Sequence, residues 1–172
     1  LGLPVPRLVT IDLPSAMARY EADAEVQDLL NASPGTNLGV DLLPGALGYD
    51  GSRPPDEGLA SRIYWLDAFA ANVDRTWSNP NLLTWHRQTW LIDHGAALYF
   101  HHSWPNREPD ENRFAAAKFD ASTHVLADIA GDVSAIHDEM VGRLSDSAIG
   151  TIVDAVPDDW LEPAAGLHSV SE

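Results

Sequence analysis

The chain has no cysteine, and a single lysine, Lys118, among its 172 residues. Without cysteine, disulfides and thiolate metal sites are excluded, and a cytoplasmic setting is expected. Positive charge is scarce: 10 Lys and Arg stand against 26 Asp and Glu, for a net charge of −16. Nucleic acid and anionic membranes are bound by clustered Lys and Arg, so neither is an expected partner. The acidity reads first as a source of solubility. No run approaches the ~18 consecutive apolar residues of a membrane-spanning helix. The first residues carry no basic start followed by an apolar run, so no signal peptide is read here.

What is present is a globular composition, 45% hydrophobic and 21% charged, in a chain long enough for one domain with a core. The abrupt start without Met, Leu1-Gly2-Leu3-Pro4-Val5-Pro6, reads as a helix end running into a strand, and as a piece cut from a longer protein. Strands are predicted at Leu8–Leu13 and Leu38–Leu43, and a helix at Glu21–Leu30 ended by Ser33-Pro34-Gly35. Residues 44–57 are rich in Gly and Pro and read as a loop. Ile63, Leu66, Phe69 and Ala70 recur at helical spacing, which predicts a helix over Gly58–Ala71. Leu82–Trp85 and Thr89–Ile92 read as a hairpin turned by His86-Arg87-Gln88. Ala96–His101 is expected to be helical, Pro105–Asn112 a polar loop, and Arg113–Asp120 a short helix. Three more helices are expected over 122–130, 132–143 and 145–155, with Asp132 and Ser145 as N-caps and Ala135, Ile136 and Met140 as an apolar stripe.

The most informative stretch runs from Asn72 to Gly95. It holds Asp74, then Asn79 five residues later, then an apolar run, then Asp93-His94-Gly95. Phosphoryl-transfer enzymes of the protein-kinase type need that order: one carboxylate to meet the accepting hydroxyl, and an amide oxygen and a second carboxylate to hold Mg²⁺ against nucleotide phosphates. The five-residue gap lets one loop aim Asp74 and Asn79 at one cavity, and a hairpin delivers Asp93 beside them.

Asn72, Asp74, Arg75, Asn79, Leu82, Leu83, Ile92, Asp93, His94 and Gly95 together resemble the HipA-like kinases, a bacterial branch of the kinase-like superfamily. That family's catalytic loop reads roughly Asn-X-Asp-Arg and then Asn-X-X-Leu-Leu, and its metal loop Ile-Asp-His-Gly. The likeness extends to Gly2–Pro6 and Asn37–Asp41. The resemblance implies an α+β fold: a mostly helical kinase-like C-terminal lobe over residues 1–165. Residues 1–45 would be the hinge region and end of the N-terminal lobe, 58–160 the catalytic lobe, and 166–172 a disordered tail. Leu38–Pro44 falls where the resemblance places the adenine-contacting hinge.

It implies ATP- and Mg²⁺-dependent phosphoryl transfer, with a protein Ser or Thr hydroxyl as acceptor. Asp74 would be the catalytic carboxylate, with Asn72 and Arg75 flanking it; Asn79 and Asp93 would hold the metal and nucleotide. Arg75 also reads as a structural residue paired with an acidic neighbour, and His94 as a structural hydrogen-bonder. Asn81 competes with Asn79 for the amide role, and either could serve turn chemistry beside Pro80. The phosphate-binding lysine of kinases precedes the catalytic loop, whereas Lys118 follows it. The N-terminal lobe is therefore expected to be missing, and this chain alone to be inactive.

Two other readings compete. One is a catalytically inactive kinase-fold binding module. The other is a histidine-metal hydrolase using His86, Asp93, His94, His101 and His102, although these spacings match no strong ligand motif. Trp65, Trp77, Trp85, Trp90 and Trp104 crowd the same region and read as packing around the loop.

Overall fold

A computed structural model describes residues 1–98, 112–113, 116 and 118–161. The fold mixes helices with two small antiparallel sheets. Among the described residues no helix is long and apolar enough to cross a membrane. The chain divides into two compact units.

One unit contains Pro6–Leu43 and the segment from Thr151. Strands β1 (Leu8–Leu13) and β2 (Gly35–Val40) pair antiparallel from Leu8 opposite Val40 to Leu13 opposite Gly35. The second strand starts earlier than the Leu38–Leu43 prediction, because Gly35 enters the ladder instead of breaking it. Helix α1 (Ala24–Ala32) begins later than predicted. Asp23 caps it by accepting the N–H groups of Glu25 and Val26, which satisfies donors that otherwise lack partners. Late in the chain, the Trp160 indole donates to the Thr36 carbonyl at 2.7 Å.

The other unit, Leu1–Val5 with Pro44–Gly150, holds the predicted catalytic segment. Helix α2 (Glu57–Phe69) forms as its periodicity predicts. Asp56 caps its start by accepting the Leu59 N–H at 2.7 Å. Its end is a two-bond reversal: the Ala71 N–H donates to the Ala68 carbonyl and the Asn72 N–H to the Asp67 carbonyl. Ala71 sits at φ 51° in this turn, a left-handed position that glycine fills more cheaply.

The predicted hairpin is present as β4 (Leu82–Trp85) and β5 (Gln88–Leu91). Its turn is two residues, His86 and Arg87, both at positive φ, as a twist-matched hairpin turn demands. A third strand, β3 (Leu47–Gly48), pairs with β4. On the other side of the hairpin, the Leu91 N–H donates to the Pro4 carbonyl. The core lies between α2, the hairpin and residues 125–126: Tyr49, Ala60, Ile63, Leu82, Leu91, Val125 and Leu126 are all buried.

Several expectations are corrected here. Residues 122–130 are turns, not a helix, because the Val125 N–H donates to the Arg75 carbonyl and the Leu126 N–H to the His124 ring, which interrupts the helical ladder. Residues 95–98 form a turn and 118–120 have no regular structure. His101, His102, Trp104 and the Pro105–Glu111 part of the predicted polar loop lie outside the described residues. The expected helix over 132–143 is a short 3₁₀ turn (Val133–Ile136) leading into α3 (His137–Arg143), capped by Asp132. Met140 is buried, but Ala135 is exposed, so the stripe is narrower than read. Helix α4 (Asp146–Asp154) follows Ser145, whose hydroxyl accepts the Ala148 N–H. Trp65 is buried against Phe69, whereas Trp77 is exposed.

The α2 end gives a stability prediction. Ala71→Gly is expected to stabilise the protein by about 1 kcal/mol, since the left-handed position costs a Cβ-bearing residue about that much. Urea unfolding monitored by tryptophan fluorescence checks it, as a higher midpoint at unchanged slope.

Candidate functional site

The site is built outward from a buried charge. Asp67 lies on the inner face of α2 and is fully buried, as is Arg75 on the loop that follows. The Arg75 guanidinium grips the carboxylate in a fork: Nε donates to Oδ2 at 2.6 Å and Nη2 to Oδ1 at 3.3 Å. The Asn72 amide donates to Oδ1 at 2.8 Å. His124 Nε2 lies 3.0 Å from Oδ2, while its Nδ1 accepts the Leu126 N–H. Nδ1 is thus committed as an acceptor, so Nε2 carries the proton and donates to Asp67.

Each carboxylate oxygen therefore has two donors. Burial alone would raise the Asp67 pKa; the hydrogen bonds from His124, Arg75 and Asn72, together with the Arg75 charge, outweigh it and hold the pKa below the ordinary aspartate value. Arg75 in turn fixes the backbone around it. Its Nη1 donates to the Asn81 carbonyl, with a longer contact to the Ile92 carbonyl, and its own carbonyl accepts the Val125 N–H.

On this base stand the predicted functional residues. Asp74 is half-buried, and its Oδ2 accepts from the Asn79 amide at 2.7 Å and the Asn81 amide at 3.3 Å. Among the described residues no donor reaches its Oδ1. The loop between is braced by Thr76: its N–H donates to the carbonyls of Asp74 and Asn79, and its hydroxyl accepts the Asn79 N–H. Asn81 occupies the left-handed region at φ 49°, and its carbonyl also accepts the Ile92 N–H at 3.1 Å. That bond fixes the backbone just before Asp93 at the start of β4.

Asp93 is exposed, stands at φ 47°, and accepts the Gly95 N–H on its Oδ1. His94 is also exposed; partial desolvation of its ring, then the Arg75 charge, push its pKa down against the pull of Asp67 and Asp93. Its imidazole is therefore neutral at neutral pH.

The structure thus links Asp74, Asn79 and Asn81 through shared hydrogen bonds, and ties the Ile92 backbone, one residue before Asp93, to Asn81. It places Asn72 and Arg75 in the buried network, where they hold the loop. Asn79 is exposed, whereas Asn81 is 8% exposed and ties Asp74 to the Ile92 backbone. The sequence reading missed Asp67 and His124. Asp67 could have been found: it falls four residues after Ile63 on the apolar face of α2, where an unpaired carboxylate is costly. Nothing in the spacing marks His124.

Among the described residues no three His, Cys, Asp or Glu side chains cluster as metal ligands. Of the candidate histidines, His86 stacks on Trp85 in the hairpin turn, and His101 and His102 lie outside the described residues. The oxygen donors of Asp93 and Asn79 suit a hard cation such as Mg²⁺, which takes one or two protein oxygens and completes its shell with water and phosphate.

The network yields a paired prediction. Asp67→Asn leaves the Arg75 charge buried without a counter-ion, and is expected to destabilise by about 3–5 kcal/mol. Because the folded-state pKa of Asp67 lies below the unfolded one, its contribution is complete above the unfolded value. It is lost as pH falls through the folded value. Urea midpoints measured from about pH 6 down to about pH 2 should fall less steeply in the variant than in the parent chain.

Searched against known protein families, curated proteins and solved structures, the chain matches none of them.

Proposed function

We propose that this chain carries the catalytic loop and metal loop of an ATP- and Mg²⁺-dependent phosphotransferase resembling the HipA-like kinases, with a protein Ser or Thr hydroxyl as acceptor. One observation carries the reading. The Asp74 carboxylate is held by the amides of Asn79 and Asn81, and the Asn81 carbonyl is bonded to the residue that precedes Asp93. Asp74 and Asn79, chosen for their order in the sequence, meet directly, and Asp93 follows a residue bonded to the same loop.

The chemistry follows from the free atoms. With Oδ2 occupied, Asp74 presents Oδ1 to an acceptor hydroxyl, orients it, and takes its proton late in transfer. The two amides keep Oδ2 from turning outward, so the carboxylate has one working direction. Asp93 and Asn79 are the exposed oxygen donors that would hold the metal. Bound Mg²⁺ supplies charge neutralisation at the nucleotide phosphates. Asn81 positions: its amide holds Asp74, and its carbonyl holds the Arg75 guanidinium and the Ile92 N–H. Phosphoryl transfer depends mainly on such positioning and on electrostatic stabilisation.

Calorimetric titration with ATP, with and without Mg²⁺, tests the reading. Binding that strengthens with Mg²⁺, and an Asp93→Asn variant that loses this strengthening while keeping its far-UV spectrum, are the expected results. In a transfer assay on the active protein, the same variant should lose about 10²–10³ in rate. Equal ATP affinity with and without Mg²⁺ would end this assignment. Asn79→Ala should lower Mg²⁺-dependent ATP affinity with little change in stability. Asn81→Ala should lower both, because its side chain is buried against Asp74.

A further inference from the structure

Trp77 stands between Asp74 and Asn79 in the catalytic-type loop, and its residue surface is 57% exposed. It is nonetheless held. Its ring stacks on Tyr49, with centroids 6.1 Å apart and planes 29° from parallel. Tyr49 is itself 5% exposed, and its N–H is bonded to the Leu82 carbonyl at the start of the hairpin. Gly51 makes room for the indole: a Cβ there would stand 3.0 Å from Cη2 and 3.3 Å from Cζ3, at a backbone φ of 79°. The loop carrying the ring is braced by the Thr76–Ser78 hydroxyl pair at 2.9 Å. Among the described residues the indole N–H has no acceptor. A large aromatic fixed on one side and wet on the other is a preorganised contact surface, since little side-chain entropy remains to be lost on binding.

The surroundings indicate what it would contact. Asp50 lies between Tyr49 and Gly51, the two residues under the ring, and its exposed carboxylate is occupied only locally, by the Ser52 N–H at 2.9 Å. Asp74 stands three residues before Trp77 on the same loop, in a chain of net charge −16. Arg53 acts on the Asp50 carboxylate, and the Arg75 guanidinium is buried on Asp67. An exposed indole face beside Asp50 in so acidic a chain favours a cation above it.

We infer that Trp77 is a specificity platform on which an Arg or Lys side chain of the acceptor segment stacks, placing the neighbouring hydroxyl at Asp74. This rests on the phosphotransfer reading above. An acidic or purely apolar acceptor segment would find no complement here.

The test uses two labelled peptides, one with a serine flanked by arginines and one with alanines in their place, titrated by fluorescence anisotropy. Salt at about 0.3 M suppresses long-range attraction to the acidic chain. The arginine peptide should bind the parent chain at least about tenfold more tightly than the alanine peptide. Trp77→Ala should reduce that preference to within about twofold, and Trp77→Phe should keep part of it. ATP titration in the presence of Mg²⁺ should be unchanged in both variants. No preference in the parent chain, or a preference that survives Trp77→Ala, would overturn the platform. A Trp77-dependent preference without Mg²⁺-dependent ATP binding would instead end the phosphotransfer reading and leave the platform standing.

Discussion

Everything at the site depends on one ion pair that water does not reach. Asp67 and Arg75 are each fully buried, and their mutual attraction is useful only because the remaining donors and acceptors are filled as well. Asn72 and His124 complete the carboxylate, and the Asn81 carbonyl occupies the third arm of the guanidinium. The planar fork of arginine suits this task, since it offers several donors in fixed directions, which lysine does not. Helix α2, the loop after it, the hairpin and the turns near residue 125 are thereby referred to one point.

Above that point the chain bends sharply and repeatedly. Ala71, Asn81 and Asp93 all take left-handed backbone conformations without being glycine. Each bend stands beside a residue of the network or the loop, and each is held by a specific bond: Asn72 to Asp67, Ile92 to Asn81, Gly95 to Asp93. Backbone conformations of this kind persist where the surroundings over-determine them. The exposed side chains of Asn79 and Asp93 are each restrained by a hydrogen bond, to Asp74 and from the Gly95 N–H, and such restraint is what the proposed positioning role asks of them.

The sequence revealed some of this and concealed the rest. The hairpin and α2 were legible because their periodicity and their flanking turn residues agree. The contact between Asp74 and Asn79 was legible because a short loop turns sequence spacing into spatial proximity. The strand Leu47–Gly48 is too short to carry a pattern. Residues 122–130 looked helical by composition, but His124 is drawn to Asp67 and the Val125 N–H to the Arg75 carbonyl, so tertiary bonds replace helical ones. The choice between Asn79 and Asn81 also lay beyond sequence, since it depends on which amide is buried.

The contact between His124 and Asp67 spans 57 residues of chain. A ribosome adding about 5–20 residues per second emits Asp67 roughly 3–11 s before the imidazole that completes the network. During that interval the carboxylate–guanidinium pair lacks its last donor, and the apolar faces of α2 and the hairpin lack Val125 and Leu126. The nascent loop is therefore shaped late, by a segment that contributes none of the proposed reactive groups.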